Sequence, residues 1–249
     1  VNADGTVSVI TETSATQALG TAATFFTSMK KVSATYDANA QKVVLAFINN
    51  STDYGTAIVG TVSGNSISFG TAVVFESAIV DDPSITYDAN AQKVVIAYAD
   101  QGNGRYGTAI VGTVSGTNIS FGTAAVFENA NISYTNITYD SDTQKVVMSY
   151  TDSGNSSKGT AVVGTVSGTN ISFGTPVVFE SGVSNYFSSA YDTNAQRVVI
   201  RTMATPLKGL RLLELSAARL LVLALPLYST RQGAALILLF MTPLPRRSL

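Results

Sequence analysis

"TYDANAQKVV" stands at Thr35–Val44 and again, letter for letter, at Thr86–Val95. "TYDSDTQKVV" follows at Thr138–Val147 and "AYDTNAQRVV" at Ala190–Val199. Their tyrosines, Tyr36, Tyr87, Tyr139 and Tyr191, lie 51, 52 and 52 residues apart. A period of this size decides the fold class, because a unit of about 50 residues cannot bury its own faces and must stack on its neighbours. A second block recurs between the copies: "GTAIVGTVSGNSISFGTAVVFES" from Gly55, "GTAIVGTVSGTNISFGTAAVFEN" from Gly107 and "GTAVVGTVSGTNISFGTPVVFES" from Gly159. "ALGTAATFFTS" (Ala18–Ser28) matches the end of such a block, so the chain opens inside a repeat. The expected organisation is the tail of a preceding repeat over 1–30, repeats over 31–82, 83–134 and 135–186, and the start of a fourth over 187–200.

Each copy reads as four antiparallel strands. Strand 1 is of the "SITYD" type. Strand 2, "KVVIAYA", is a continuous run of apolar, β-branched and aromatic residues, as expected for a strand covered on both faces. Strand 3 is "GTAIVGTV" and strand 4 "ISFGTAVVF". Turn-forming residues separate strands 1 and 2 ("DANAQ") and strands 3 and 4 ("SGN", "SGT"). Glycines within strands, Gly60, Gly112 and Gly164 with Gly70, Gly122 and Gly174, predict bulges or close backbone approach. No apolar period of 3.6 residues is present, so helices are not expected.

A four-stranded unit of about 52 residues resembles the blade of a β-propeller. The WD dipeptide, the kelch Gly-Gly/Trp pattern and the Asp-box are all missing. The texture also resembles repeat arrays of bacterial surface and phage tail proteins. The resemblance implies an all-β, incomplete β-propeller, with a β-solenoid or fibrous array as its rival. Residues 1–200 supply fewer blades than the four to eight of typical propellers, so neighbouring repeats are missing from this chain. An exposed blade edge and a tendency to aggregate are expected.

Composition removes several chemistries. The chain has no Cys and no His, which excludes thiolate nucleophiles, Ser-His-Asp triads and Cys- or His-based metal sites. Residues 1–200 carry eight Lys/Arg against fifteen Asp/Glu, a net charge of −7 with no basic stripe, which argues against a nucleic-acid partner. Asp37, Asp88, Asp140 and Asp192 recur once per repeat in an unvarying turn. They read as Asx-turn formers rather than calcium ligands, because the Gly and distal Glu of a calcium loop are absent. No cofactor and no metal site are expected.

Past Ile200 the texture changes. The first 200 residues contain two leucines and the last 49 contain fifteen; those 49 also carry seven basic residues against one acid. A strand-2 ending such as "AY" is due at 201–202, where Arg201 and Thr202 stand instead. In a reading frame displaced by one base, Met203 to Val222 can spell "GNSSKGTATVGTVSGTSIS", against "GNSSKGTAVVGTVSGTNIS" from Gly154. The glycine permitted at the Lys208/Gly209 junction and the tyrosine permitted at Phe240/Met241 lie 32 codons apart, as in the intact copies, such as Gly55 to Tyr87. Residues 201–249 are therefore read as a frameshifted translation of the next repeat, and a dropped base at codon 201 suffices. Their apolar runs, Leu220–Leu227 and Ala234–Met241, fall short of the roughly 18–20 residues of a membrane span, so no membrane insertion is expected.

Comparison of the copies points to a functional side. The turns 1–2 and 3–4 barely vary. The 2–3 loops do: "INNSTDY", "ADQGNGRY", "TDSGNSSK". So do the 4–1 connections: "ESAIVDDPS", "ENANISYTN", "ESGVSNYFS". A meander places both variable sets at one end of the strands, and function on repeat scaffolds sits on such unit-specific loops. Candidate ligand contacts are Asp53, Tyr54, Asp81, Asp82, Gln101, Asn103, Arg105, Tyr106, Tyr134, Asp152, Asn155, Lys158 and Tyr186. The expectation is a non-enzymatic recognition or adhesion module, extracellular or on a cell or virion surface, with glycans or another cell-surface ligand as candidate partner. No catalytic residue is assigned. The alternatives are a propeller glycoside hydrolase using carboxylates such as Asp81, Asp82 or Asp152, and a structural spacer in a surface fibre.

Overall fold

A computed structural model describes residues 6–7, 10–13, 16–205 and 220–222, with side chains over 20–203. Four short strands come first: β1 (Thr6–Val7), β2 (Ile10–Thr13), β3 (Thr16–Leu19) and β4 (Ala23–Thr24). Repeat 1 then supplies β5 (Met29–Asp37), β6 (Lys42–Asn49), β7 (Tyr54–Ser63) and β8 (Ser66–Phe69). β9 (Val73–Asp88), β10 (Lys93–Asp100), β11 (Tyr106–Ser115) and β12 (Asn118–Phe121) follow. The next set is β13 (Ala125–Asp140), β14 (Lys145–Asp152), β15 (Lys158–Ser167) and β16 (Asn170–Phe173), then β17 (Val177–Asp192) and β18 (Arg197–Thr205). β19 (Leu220–Val222) pairs parallel to β18. The expected all-β class is what forms. The main sheet is open, running β19-β18-β17-β15-β14-β13-β11-β10-β9-β7-β6-β5, with β8, β12 and β16 hung on β7, β11 and β15. The expected repeat boundaries and the displaced frame stand apart from this geometry: β18 continues to Thr205, and most of 206–249 lies outside the described residues.

The second strand of each repeat is covered on both faces, as its apolar run predicts. In β10, Val94, Ile96 and Tyr98 enter one core with Val44, Ala46 and Ile48 of repeat 1. Val95, Ala97 and Ala99 point the other way, into a core with Val146, Met148 and Tyr150 of repeat 3. Strand pleating sends alternate residues to opposite faces, so each sheet shares one core with the repeat before it and another with the repeat after. Stacking answers the burial problem that one unit cannot solve alone.

Two expectations about strand 4 need correcting. It is not one strand but two, because the chain breaks between β8 and β9 at 70–72. Gly70 causes the break: its N–H donates to Val59 O at 2.9 Å, and a Cβ there would run into the carbonyl oxygen of Thr117 in the next repeat. Gly122 meets Thr169 in the same way, so close backbone approach is what these two glycines serve. Secondly, the 4–1 connections from Glu76, Glu128 and Glu180 are not loops. β9, β13 and β17 are each 16-residue strands that close one repeat and open the next. The first part of β9 pairs with β7 (Thr56↔Val74) and the second with β10 (Lys93↔Asp88). Asp81, Asp82, Tyr134 and Tyr186, expected on connecting loops, are strand residues.

The uniform end is scaffold. Asp37, Asp88, Asp140 and Asp192 each accept backbone N–H groups of their own 1–2 turn through Oδ1, at 2.9 to 3.2 Å. Asn39 N–H donates to Tyr87 Oη and Asn90 N–H to Tyr139 Oη, each at 3.2 Å, tying the first two of these turns to the tyrosine of the following repeat. Among the described residues no cluster of three acidic groups could hold a metal, and no helix is long and apolar enough to cross a membrane.

Candidate functional site

The long strands carry a β-bulge at one fixed place in the repeat. Two residues face one across the ladder: Lys31–Val32 opposite Phe47, Asp82–Pro83 opposite Tyr98, Tyr134–Thr135 opposite Tyr150, and Tyr186–Phe187 opposite Thr202. The first residue of each pair is left-handed, with φ of 51°, 49°, 55° and 55° at Lys31, Asp82, Tyr134 and Tyr186. Bulges re-aim a side chain out of the pleat, and these four side chains form a column across the repeats. Lys31 Nζ lies 2.8 Å from Asp82 Oδ1. Asp82 Oδ2 accepts the Tyr134 N–H at 2.7 Å, and its carbonyl accepts the Thr135 hydroxyl. The Tyr134 and Tyr186 rings lie 4.7 Å apart, inclined at 53°.

The 2–3 loops lean on this column. Each contains its own left-handed residue, Asp53, Arg105 or Ser157, whose carbonyl accepts the N–H of Val80, Ile132 or Ser184 two residues before the bulge. Both variable segments thus meet on one ridge, though not as loops at a strand end. Asp53 pairs with Lys30 at 2.6 Å, and Arg105 Nη2 with Asp81 Oδ2 at 3.1 Å. Asp81 also takes Lys31 at 3.3 Å and the Gln101 side-chain amide. Partial burial draws Lys31 down, but the hydrogen bond and charge of Asp82, with Asp81, hold it above the ordinary lysine value. The hydrogen bond with Tyr186 holds the Tyr134 phenol above its usual range.

Seven of the thirteen residues singled out from sequence therefore gather here: Asp53, Asp81, Asp82, Gln101, Arg105, Tyr134 and Tyr186. Tyr54 and Tyr106 are half-buried first residues of β7 and β11, and Asn103 is exposed at the end of a short 3-10 turn. Asn155 accepts Lys158 Nζ at 2.9 Å within its own loop. Asp152 departs from expectation: it is not a loop residue but the buried last residue of β14, in register with Lys158. Lys30 and Lys31 escaped the sequence reading. Their signal was available, since Lys31 precedes Asp82 by one repeat.

No protein-family model matches this chain, and no curated protein is significantly similar to it, so its function has to be argued from the ridge itself.

Proposed function

We propose that the chain is a non-enzymatic recognition module of a surface-exposed or virion protein, reading a glycan or other cell-surface ligand with the bulge column and the loops beside it. One observation carries this reading. The fold needs a left-handed residue at 31, 82, 134 and 186, a conformation that costs a side-chain-bearing residue about 1–2 kcal/mol and glycine almost nothing. The sequence, which has 20 glycines, uses none at these positions. It places Lys, Asp, Tyr and Tyr there, while Gln41, Gln92, Gln144 and Gln196 stay constant at the left-handed position of the 1–2 turn. Side chains kept against a conformational cost, and varied from repeat to repeat, mark a surface that earns its place by contact.

The architecture suits this role. First strands of successive repeats run side by side, tied by Ser33 Oγ accepting Ile85 N–H and Ser84 Oγ accepting Ile137 N–H, each at 3.2 Å. Blades of an incomplete β-propeller adjoin in this manner around their axis. The test compares the full chain with a variant carrying glycine at 31, 82, 134 and 186, on a glycan array and on intact cells. The variant is expected to keep its strand signature in circular dichroism and to lose binding. Binding that survives the four substitutions removes the ridge from the reading.

A further inference from the structure

We infer that the ridge takes an uncharged saccharide, with the C–H face of one pyranose ring stacked on the Tyr134–Tyr186 pair; this rests on the recognition reading above. Charge is the first argument. Lys30, Lys31 and Arg105 face Asp53, Asp81 and Asp82, and each of the six has a partner of opposite sign within 3.3 Å. Three cations and three carboxylates leave this stretch neutral. A phosphate, sulfate or uronate would have to displace a carboxylate already in place, and an amine would have to displace a lysine or arginine. Complementarity with a charged ligand is spent inside the protein.

The second argument is the surface beside those ion pairs. Tyr186 is 59 % exposed, and its ring lies against that of Tyr134. Around them the sequence supplies Ser133, Thr135, Asn185 and Ser188, hydroxyl and amide groups without charge. An apolar platform bordered by hydroxyl and amide groups, and on the Tyr134 side by the mutually paired Lys31 and Asp82, matches a solute that has a C–H face and a belt of hydroxyls, which describes a neutral sugar. The third argument is rigidity. The bulge fixes both backbones, and the Asp82 carboxylate holds the Tyr134 N–H at 2.7 Å, so the platform exists before the ligand arrives. Little ordering entropy is then lost on binding.

The test uses the full 249-residue chain and follows titrations by calorimetry and by tyrosine fluorescence, which no tryptophan obscures. Maltohexaose, cellohexaose and mannohexaose are compared with alginate and polygalacturonate oligomers and with chitosan oligomers. At least one neutral hexasaccharide is expected to bind, with affinity little changed between about 0.05 and about 0.5 M salt. Tyr186→Ala should weaken it about tenfold or more, while Tyr186→Phe, which keeps the ring, stays within about threefold. Preference for a charged oligomer, or neutral binding indifferent to Tyr186→Ala, overturns the inference. A charged glycan or a protein captured through the ridge does so as well, yet leaves the recognition reading standing. Failure of every glycan and of intact cells to bind removes both.

Discussion

Glu180 and Thr202 hold the places of a pair that is hydrogen-bonded in both preceding repeats and unbonded here. Tyr98 Oη donates to Glu76 Oε2 at 3.2 Å and Tyr150 Oη to Glu128 Oε2 at 2.8 Å, each across 22 residues. Glu180 precedes Thr202 by the same interval, is buried, and leaves Oε2 without a partner among the described residues. In repeat 1 the position holds Phe47, which has no hydroxyl, and the rings against it are Phe25 and Phe26. Residue and partner match in three repeats and clash in the fourth. A tyrosine is what the two preceding repeats hold at this place, as Tyr98 and Tyr150. Thr202→Tyr is expected to stabilise the chain by about 1–3 kcal/mol, through the satisfied carboxylate. The ring must displace Phe187, which now lies 5.9 Å from Phe179. Denaturant titration of the two chains checks this; a loss of stability would show that the site is not shaped for a tyrosine.

Gly122 and Gly174 occupy one position in successive repeats but have different neighbours. A Cβ on Gly122 strikes Thr169, whereas at Gly174 the nearest atom among the described residues is Val163 O at 3.8 Å. Gly122→Ala should destabilise by about 1–3 kcal/mol by overpacking. Gly174→Ala should be neutral or add up to about 1 kcal/mol by narrowing the unfolded ensemble. Equal effects in thermal unfolding would mean that repeat stacking does not decide the requirement for glycine.

Asp82 and Lys31 are joined by an ion pair, yet their removal should differ. Lys31 is exposed, so Lys31→Ala is expected to cost under about 1 kcal/mol. Asp82→Ala also strips the acceptor from the Tyr134 N–H, and about 1–2 kcal/mol is expected. Asp82→Asn, which keeps an acceptor oxygen, should recover most of that loss in urea titrations.

Acidification should stabilise the turn that Asp88 closes. Burial, opposed by the Ala91 and Asn90 N–H groups, holds this carboxyl above its ordinary value of 3.8. Burial and the Glu76 charge raise Asp100 likewise. A carboxyl raised by folding binds its proton more readily in the native state, so its contribution to stability grows as pH falls from neutrality through the raised pKa. That gain levels off, and is kept, below about pH 3.8, where the unfolded chain is protonated too. Asp88→Asn keeps the turn acceptor and should flatten the rise in Tm between pH 7 and about pH 4.5. An unchanged slope in that variant would sink the assignment.

Strands 2 and 3 were legible because an unbroken apolar run recurs at the same place in each copy. The Asx turns were legible for a related reason, since a local hydrogen bond needs only local sequence. β9 was not. Its middle, "ESAIVDDPS", carries Glu, Asp, Asp, Pro and Ser, which favour loops, and a proline should not sit inside a ladder. The bulge resolves that conflict: Pro83 is its second residue, buried, at a point where no ladder hydrogen bond is asked of it. The meeting of Arg105 with Asp81 was equally hidden. It depends on one repeat's loop lying against the strand that enters that same repeat, and no local pattern encodes such a contact.

The strands that join repeats also bear on how such an array grows. The left-handed residues Asp82, Tyr134 and Tyr186 each lie within a strand that two successive repeats share. A DNA segment running from one bulge to the next, 83–134 for example, can be copied or lost without interrupting any strand, because the ends it leaves are two halves of the same bulge. Unequal crossing-over can therefore lengthen or shorten the array with no junction to repair, and each new copy arrives with its own outward-aimed residue free to diverge.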